Sequence, residues 1–277
     1  MTFKHYIVIF FSFGLLILIY LMPIKNPELN KVNRESTLPG EFSIEEYREG
    51  RFENLEDSTL AKIADIQANI SNTDFPESKA LKDSLVKIYA ELDELALAAE
   101  LQTTLASKTQ TESDWLAAAE LYRIVFLRQQ NRHAFYFYLQ SKFKESLEAA
   151  LKINPDNLET KVDLAGLLME DDANVMAGVE ILLDVVEKEP QNIEANLLLG
   201  RFGIVSGQYD RAVMRLETVI SQDPTNSEAY FFLGEAYNAL GKIGKAVEMF
   251  EICKSLVDNP EFERELDLYI ERILVKK

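Results

Sequence analysis

From residue 44 onward apolar residues recur at spacings of three and four, and alternating β-branched runs are missing. That period lines apolar side chains along one face of a helix, so it predicts an all-α body. Ahead of it the pattern is different. YIVIFFSFGLLILIYLM, residues 6–22, carries no charge, and the uncharged run from His5 to Ile24 is 20 residues long. At about 1.5 Å per residue such a helix is about 30 Å long, the thickness of a hydrocarbon core. Twelve of those seventeen residues are Ile, Leu, Val or Phe, each favouring insertion by about 0.3–0.6 kcal/mol, or roughly 4–7 kcal/mol together. Residues 6–23 are therefore expected to form a transmembrane anchor behind a short leader, residues 1–5. The first alanine of the chain is Ala61, so the small residues of a cleavage site are lacking and the anchor is expected to stay uncleaved. No cysteine follows the apolar core, which excludes a lipid-modified amino terminus. Residues 24–43, with Pro27, Pro39 and Gly40 among polar neighbours, read as a linker.

A second period lies over the helical one. Gly166, Gly200 and Gly234 fall at intervals of 34, as do Pro190 and Pro224, Asn192 and Asn226, Gly207 and Gly241, Leu199 and Leu233, and Ala212 and Ala246. Pro155 with Asn157 is one residue out of step, a slip that a loop absorbs. Proline ends a helix, and an asparagine two residues later can cap the next by accepting from its free N–H groups. Glycine inside a helix costs roughly 1 kcal/mol against alanine, so Gly234 needs a compensating contact. The spacing predicts one: Gly234 on a first helix and Ala246 on a second let two backbones approach closely, with Tyr230, Tyr237 and Phe250 filling the flanks.

These residues resemble the tetratricopeptide repeat family, whose pattern W-x2-L-G-x2-Y…A-x3-F…P spans a 34-residue helix-turn-helix. Residues 193–226 and 227–260 carry it throughout, and 159–192 carry it with Val162, Ala165, Gly166, Met169 and Gly178 at the patterned places. Residues 112–158 repeat the first-helix spacing with Trp115, Ala118, Ala119 and Tyr122, but are longer because they include RHAFYFYLQSKF, residues 132–143. An extended second helix or an insertion must be accommodated there. A more degenerate unit, 79–111, has Leu85, Val86, Tyr89 and Ala98, with N-terminal helices expected over 44–78. Phe262, Leu266, Tyr269, Ile270 and Ile273 share one face, so residues 261–277 read as the capping helix that repeat arrays require. The resemblance implies a right-handed α-solenoid of about five helix pairs, and over the whole chain a likeness to single-pass membrane-anchored bacterial repeat proteins.

Charge and chemistry narrow the function. The chain has 29 basic and 46 acidic residues, net -17, and residues 41–277 alone are at -19. Phosphate neutralisation is the main sequence-independent source of nucleic-acid affinity, so no nucleic-acid partner is expected. Cys253 is the single cysteine, accompanied only by His5 and His133, which leaves no conventional metal site and no disulfide framework. No phosphate-binding loop, G-x-S-x-G, H-E-x-x-H or dinucleotide glycine loop occurs, so no cofactor and no enzymatic activity are expected. Cys253 reads as a small buried hydrophobe and His133 as a packing residue.

In the resembled family the first helices line a concave face that holds protein or peptide partners. Its inward positions here are Leu116, Glu120, Asp163, Leu167, Leu197, Arg201, Phe231, Glu235 and Asn238. The family's carboxylate clamp for chaperone tails uses Lys, Asn and Arg, where this sequence has Asp163, Leu197 and Phe231, so that specialisation is not expected. The expected function is a membrane-anchored scaffold. An alternative is a client-holding assembly factor of the cytochrome c maturation type, and a third is a catalytic or sensory role. The short leader favours an inner-membrane protein with its soluble body in the periplasm, although Lys25, Lys31 and Arg34 lean the other way. Self-association of the arrays is left open.

Overall fold

The computed structural model describes residues 42–52 and 55–275, so the expected anchor, residues 6–23, and nearly all of the linker lie outside the described residues. Among the described residues are thirteen α-helices and no strand. None of these helices is long and apolar enough to cross a membrane. The described residues divide into two compact units, one ending at Asn157 and the other beginning at Leu158.

The first unit contains α1 (Ile44–Phe52), α2 (Asp57–Ser71), α3 (Lys79–Glu91), α4 (Leu95–Thr109), α5 (Glu112–Leu127) and α6 (Ala134–Ile153). Short turns join α3 to α4 and α5 to α6, making two antiparallel pairs. Thr111 caps α5 by accepting from the Asp114 N–H at 3.3 Å, while its hydroxyl donates to Asp114 Oδ2 at 2.9 Å. His133 has a structural task as well: its Nδ1 accepts from the Tyr136 N–H at 3.3 Å and caps α6. Buried Leu97, Leu105, Tyr122, Leu139 and Leu147 fill the interior.

The run at 132–143 is an extended second helix, since α6 has 20 residues against 14 or 15 in the other second helices. Its aromatics are largely used within the unit. Phe135 stacks on Tyr47 with ring centres 5.1 Å apart, and Phe42 lies 4.8 Å from Phe135 and 4.7 Å from Tyr138. The hydroxyls of Tyr122 and Tyr138 both donate to Glu100 Oε2, at 2.8 and 2.7 Å. Burial and the neighbouring carboxylate push both phenols well above the ordinary tyrosine value.

The second unit contains α7 (Leu158–Met169), α8 (Val175–Lys188), α9 (Ile193–Val205), α10 (Tyr209–Gln222), α11 (Ser227–Ala239), α12 (Ile243–Leu256) and α13 (Pro260–Val275). It is three antiparallel pairs closed by one further helix. Asn192 Oδ1 accepts from the Ala195 N–H at 3.0 Å and Asn226 Oδ1 from the Ala229 N–H at 2.8 Å, so the two asparagines cap α9 and α11. Gly207 and Gly241 make the turns within their pairs at φ +75° and +71°, where a side chain would be strained. Pro260 opens α13 where its missing N–H costs nothing, and Asn259 Oδ1 accepts from the N–H groups of Glu261 and Phe262 at 3.0 and 3.2 Å. Phe262, Leu266, Ile270 and Ile273 of α13 are buried, and Tyr269 meets the Phe250 ring edge-on at 5.4 Å.

The compensation for the helical glycines differs in detail from the expectation. Space at Gly234 is taken by the Phe250 ring and not by close approach to Ala246: a β-carbon at Gly234 would lie 2.5 Å from Phe250 Cε1. One repeat earlier Leu216 fills the same place, 2.8 Å from a β-carbon at Gly200. Close backbone approach occurs instead at Gly203, whose β-carbon would meet Ala212 Cβ at 3.1 Å and its N and Cα at 3.3 Å. At Gly166 the nearest atom would be Leu198 Cδ1 at an ordinary 3.7 Å, so no contact there demands glycine.

Candidate protein-binding face

Residues spaced by three and then four lie along one stripe of a helix. On α7 such a stripe holds Thr160, Asp163 and Leu167; on α9 Glu194, Leu197 and Arg201; on α11 Glu228, Phe231 and Glu235. The stripes of α9 and α11 meet. Arg201 Nη1 lies 3.4 Å from Glu228 Oε1, and the same guanidinium sits 5.3 Å over the Phe232 ring. Arg201 also acts electrostatically on Glu194, and Glu194 on Glu228, so two carboxylates share one guanidinium.

The expected site residues divide into two kinds. Asp163 is exposed, and Arg201 and Asn238 are half-exposed. Leu167, Leu197, Phe231 and Glu235 are buried. Phe231 packs 5.7 Å from Phe250 and 5.5 Å from Phe232, so it belongs to the joint between α11 and α12 more than to an open surface. Leu116 and Glu120 are on α5 in the first unit. There Leu116 packs beside Trp115, Ala106 and Ala150, and Glu120 accepts from Arg123 of its own helix at 2.7 and 2.8 Å.

Sequence reasoning passed over Glu194 and Glu228, which stand with Arg201 at the meeting of the two stripes. The signal was present, since the two glutamates are themselves 34 apart and each follows its capping asparagine by two residues. Glu194 keeps contact with solvent and Glu228 is half-buried, yet surrounding protein desolvates both carboxyls enough to raise them above the usual range, with Arg201 opposing.

Glu235 is only 5% exposed, and its Oε1 is buried without a hydrogen-bond partner. Burial raises its carboxyl above the ordinary value, while the Tyr269 hydroxyl pulls the other way. That hydroxyl also accepts from Asn238 Nδ2 at 3.2 Å, which ties the stripe of α11 to α13. Cys253 is buried and unpaired, its thiol pushed up to about 12 by desolvation. Among the described residues no group of three or more His, Cys, Asp and Glu is placed to hold a metal ion.

Comparison with known proteins bears on this face through the fold. Residues 204–252 match the tetratricopeptide repeat family model. Anaphase-promoting complex subunit 3 of Dictyostelium discoideum is 26% identical over 107 residues, which are 39% of this chain and 11% of that protein's own length. Among solved structures, YrrB, a TPR protein with an unusual peptide-binding site, superposes with a TM-score of 0.52 at 17% identity, covering 75% of this chain and 97% of that one. PilW, a type IV pilus biogenesis factor, gives 0.55 at 22% identity, covering 70% and 85%. The stretch from the end of α9 through most of α12 matches the tetratricopeptide repeat model, and about three quarters of the chain superposes on solved tetratricopeptide folds.

Proposed function

We propose that this chain is a non-catalytic scaffold, held in the inner membrane by residues 6–23, that grips a segment of a partner protein on the first-helix face of residues 158–277. The observation that carries the reading is the meeting of the α9 and α11 stripes, where Glu194, Arg201 and Glu228 are solvent-reachable beside a buried apolar layer of Leu197 and Phe231. A rim of charged groups around packed apolar side chains is how an interface obtains orientation as well as area. YrrB supports the use of such a fold to hold peptides, and PilW its use in assembling larger machinery. The apolar run at 6–22 and the acidic body support a protein fixed to a bilayer and kept off an anionic surface by its linker. The proposed side of the membrane is the periplasm.

Site-specific photocrosslinking in cells tests the face. A photoreactive phenylalanine analogue in place of Asp163 or Asn238 is expected to capture a partner, whereas the same group in place of Met214, 68% exposed on the second helix α10, is not. Capture from Met214 alone would move the working surface to the second helices. Protease treatment of intact and outer-membrane-permeabilised cells tests the location: digestion of the body only after permeabilisation is expected, and protection in both would place it in the cytoplasm.

A further inference from the structure

We propose that the first-helix face of residues 158–277 selects a cationic segment, a lysine or arginine of the bound chain docking between Glu194 and Glu228 beside Arg201, with Glu235 as a second acidic anchor along α11. The inference rests on the reading that this face holds a protein segment, and adds the chemistry of what it holds.

Charge complementarity is the first ground. The three stripes carry four acidic residues, Asp163, Glu194, Glu228 and Glu235, and one basic residue, Arg201. Arg201 is already engaged, 3.4 Å from Glu228 and stacked on Phe232. One guanidinium cannot neutralise two carboxylates, so the cluster of Glu194, Arg201 and Glu228 keeps a net negative charge. A carboxylate whose charge is disfavoured by crowding gains more from a new cation than one in open water.

The second ground is independent of the cluster. Glu235 Oε1 is a buried acceptor with no donor, an unfavourable state. An unmet acceptor on the stripe of Glu228 and Phe231 marks a position where a donor from a bound segment would be taken up. Glu228 and Glu235 are seven residues apart on one helix, or about 10 Å. Three residues of a polyproline-II segment, one full turn at about 3.1 Å per residue, span nearly the same distance and return side chains to one face, so two basic residues separated by two others can meet both anchors.

The test is selection of a displayed random 12-residue peptide library on the immobilised full chain in detergent, followed by titration of synthetic selected peptides. Expected are peptides with lysine or arginine next to apolar residues, enriched at a spacing of three. Their affinity should fall at least about tenfold in Glu194→Gln/Glu228→Gln, fall less in Glu235→Gln, and rise in Arg201→Gln, which removes the competing internal cation. The opposite sign of the last variant separates recognition from damage to the fold, and helicity by circular dichroism checks each protein. Peptides that crosslink from the Asn238 position but lack basic residues and ignore the glutamine variants would overturn the cationic assignment and leave the face intact. Peptides that crosslink only from the Met214 position, or failure to recover any, would overturn both. Concentration-dependent self-association abolished by Glu194→Gln/Glu228→Gln would overturn the assignment in favour of a second copy of this chain.

Discussion

The ring of Phe250 occupies the space a side chain would need at Gly234, with Cε1 2.5 Å from where a β-carbon would stand. This contact fixes how tightly α12 seats on α11. Gly234→Ala should gain up to about 1 kcal/mol of helix propensity and lose about 1–3 kcal/mol by overpacking, for a net loss of about 1–2 kcal/mol in urea denaturation. Gly166→Ala is the control, because only an ordinary 3.7 Å contact awaits its methyl group, and it should leave the midpoint unchanged or raise it. A Gly234→Ala protein as stable as the wild type would mean that the ring shifts freely and does not set the spacing.

The 34-residue period made the helix pairs legible because turn glycines, capping asparagines and helical glycines act through backbone geometry, which short sequence patterns encode directly. Which atom fills a glycine's space was not legible, since it depends on side-chain volume sixteen residues away across a packed joint. The candidate face was readable only in part for the same reason. Spacing identifies a stripe, whereas the depth at which Leu197 and Phe231 sit depends on how closely neighbouring helices stack. His133 read as a packing residue because a helix start and a packing cluster use the same residues; Tyr47 and Phe42, far away in sequence, decide that Phe135 and Tyr138 pack within the unit, while Phe137 stays exposed.

Asn192 and Asn226 each satisfy one N–H at the start of a repeat's first helix. Replacing either with alanine should cost about 1 kcal/mol, and replacement with aspartate should restore most of it, since an aspartate oxygen accepts the same bond and favours the positive end of the helix dipole. Denaturant midpoints of the four variants check this. Equal losses for alanine and aspartate would show that the side-chain amide, through Asn192 Nδ2 to Glu189 Oε2 at 3.0 Å for example, matters more than the cap.

Cys253 lies on the inner side of α12, and burial holds its thiol near 12 against an ordinary value of 9.0. The thiolate is the reactive form, so burial both lowers its share and keeps the reagent away, and alkylation of the native chain by iodoacetamide should be far slower than that of the unfolded chain. Labelling should become rapid in denaturant. Rapid labelling of the native protein would mean that α12 detaches easily, which would also weaken the role given to Phe250.

Glu235 offers a test of the joint between α11 and α13 through pH. Its carboxyl titrates above the ordinary value of 4.5 in the folded chain because burial disfavours the charge. The fold therefore prefers the protonated form. The stability tied to that proton is fully present below the ordinary value and is lost as pH rises through the raised one. Glu235→Gln cannot ionise, so its stability relative to the wild type should grow as pH rises, reaching about 1–3 kcal/mol near neutrality, the cost of an unmet buried polar group. Glu194 and Glu228 are shifted in the same direction but are present in both proteins, so they drop out of the difference. Urea midpoints at pH 4.5, 6.0 and 7.5 measure that difference directly. Parallel profiles for the two proteins would mean that Glu235 is solvated in solution and that α13 does not seal the end of the array; a gap that widens with pH would show that Oε1 stays buried in the joint between α11 and α13.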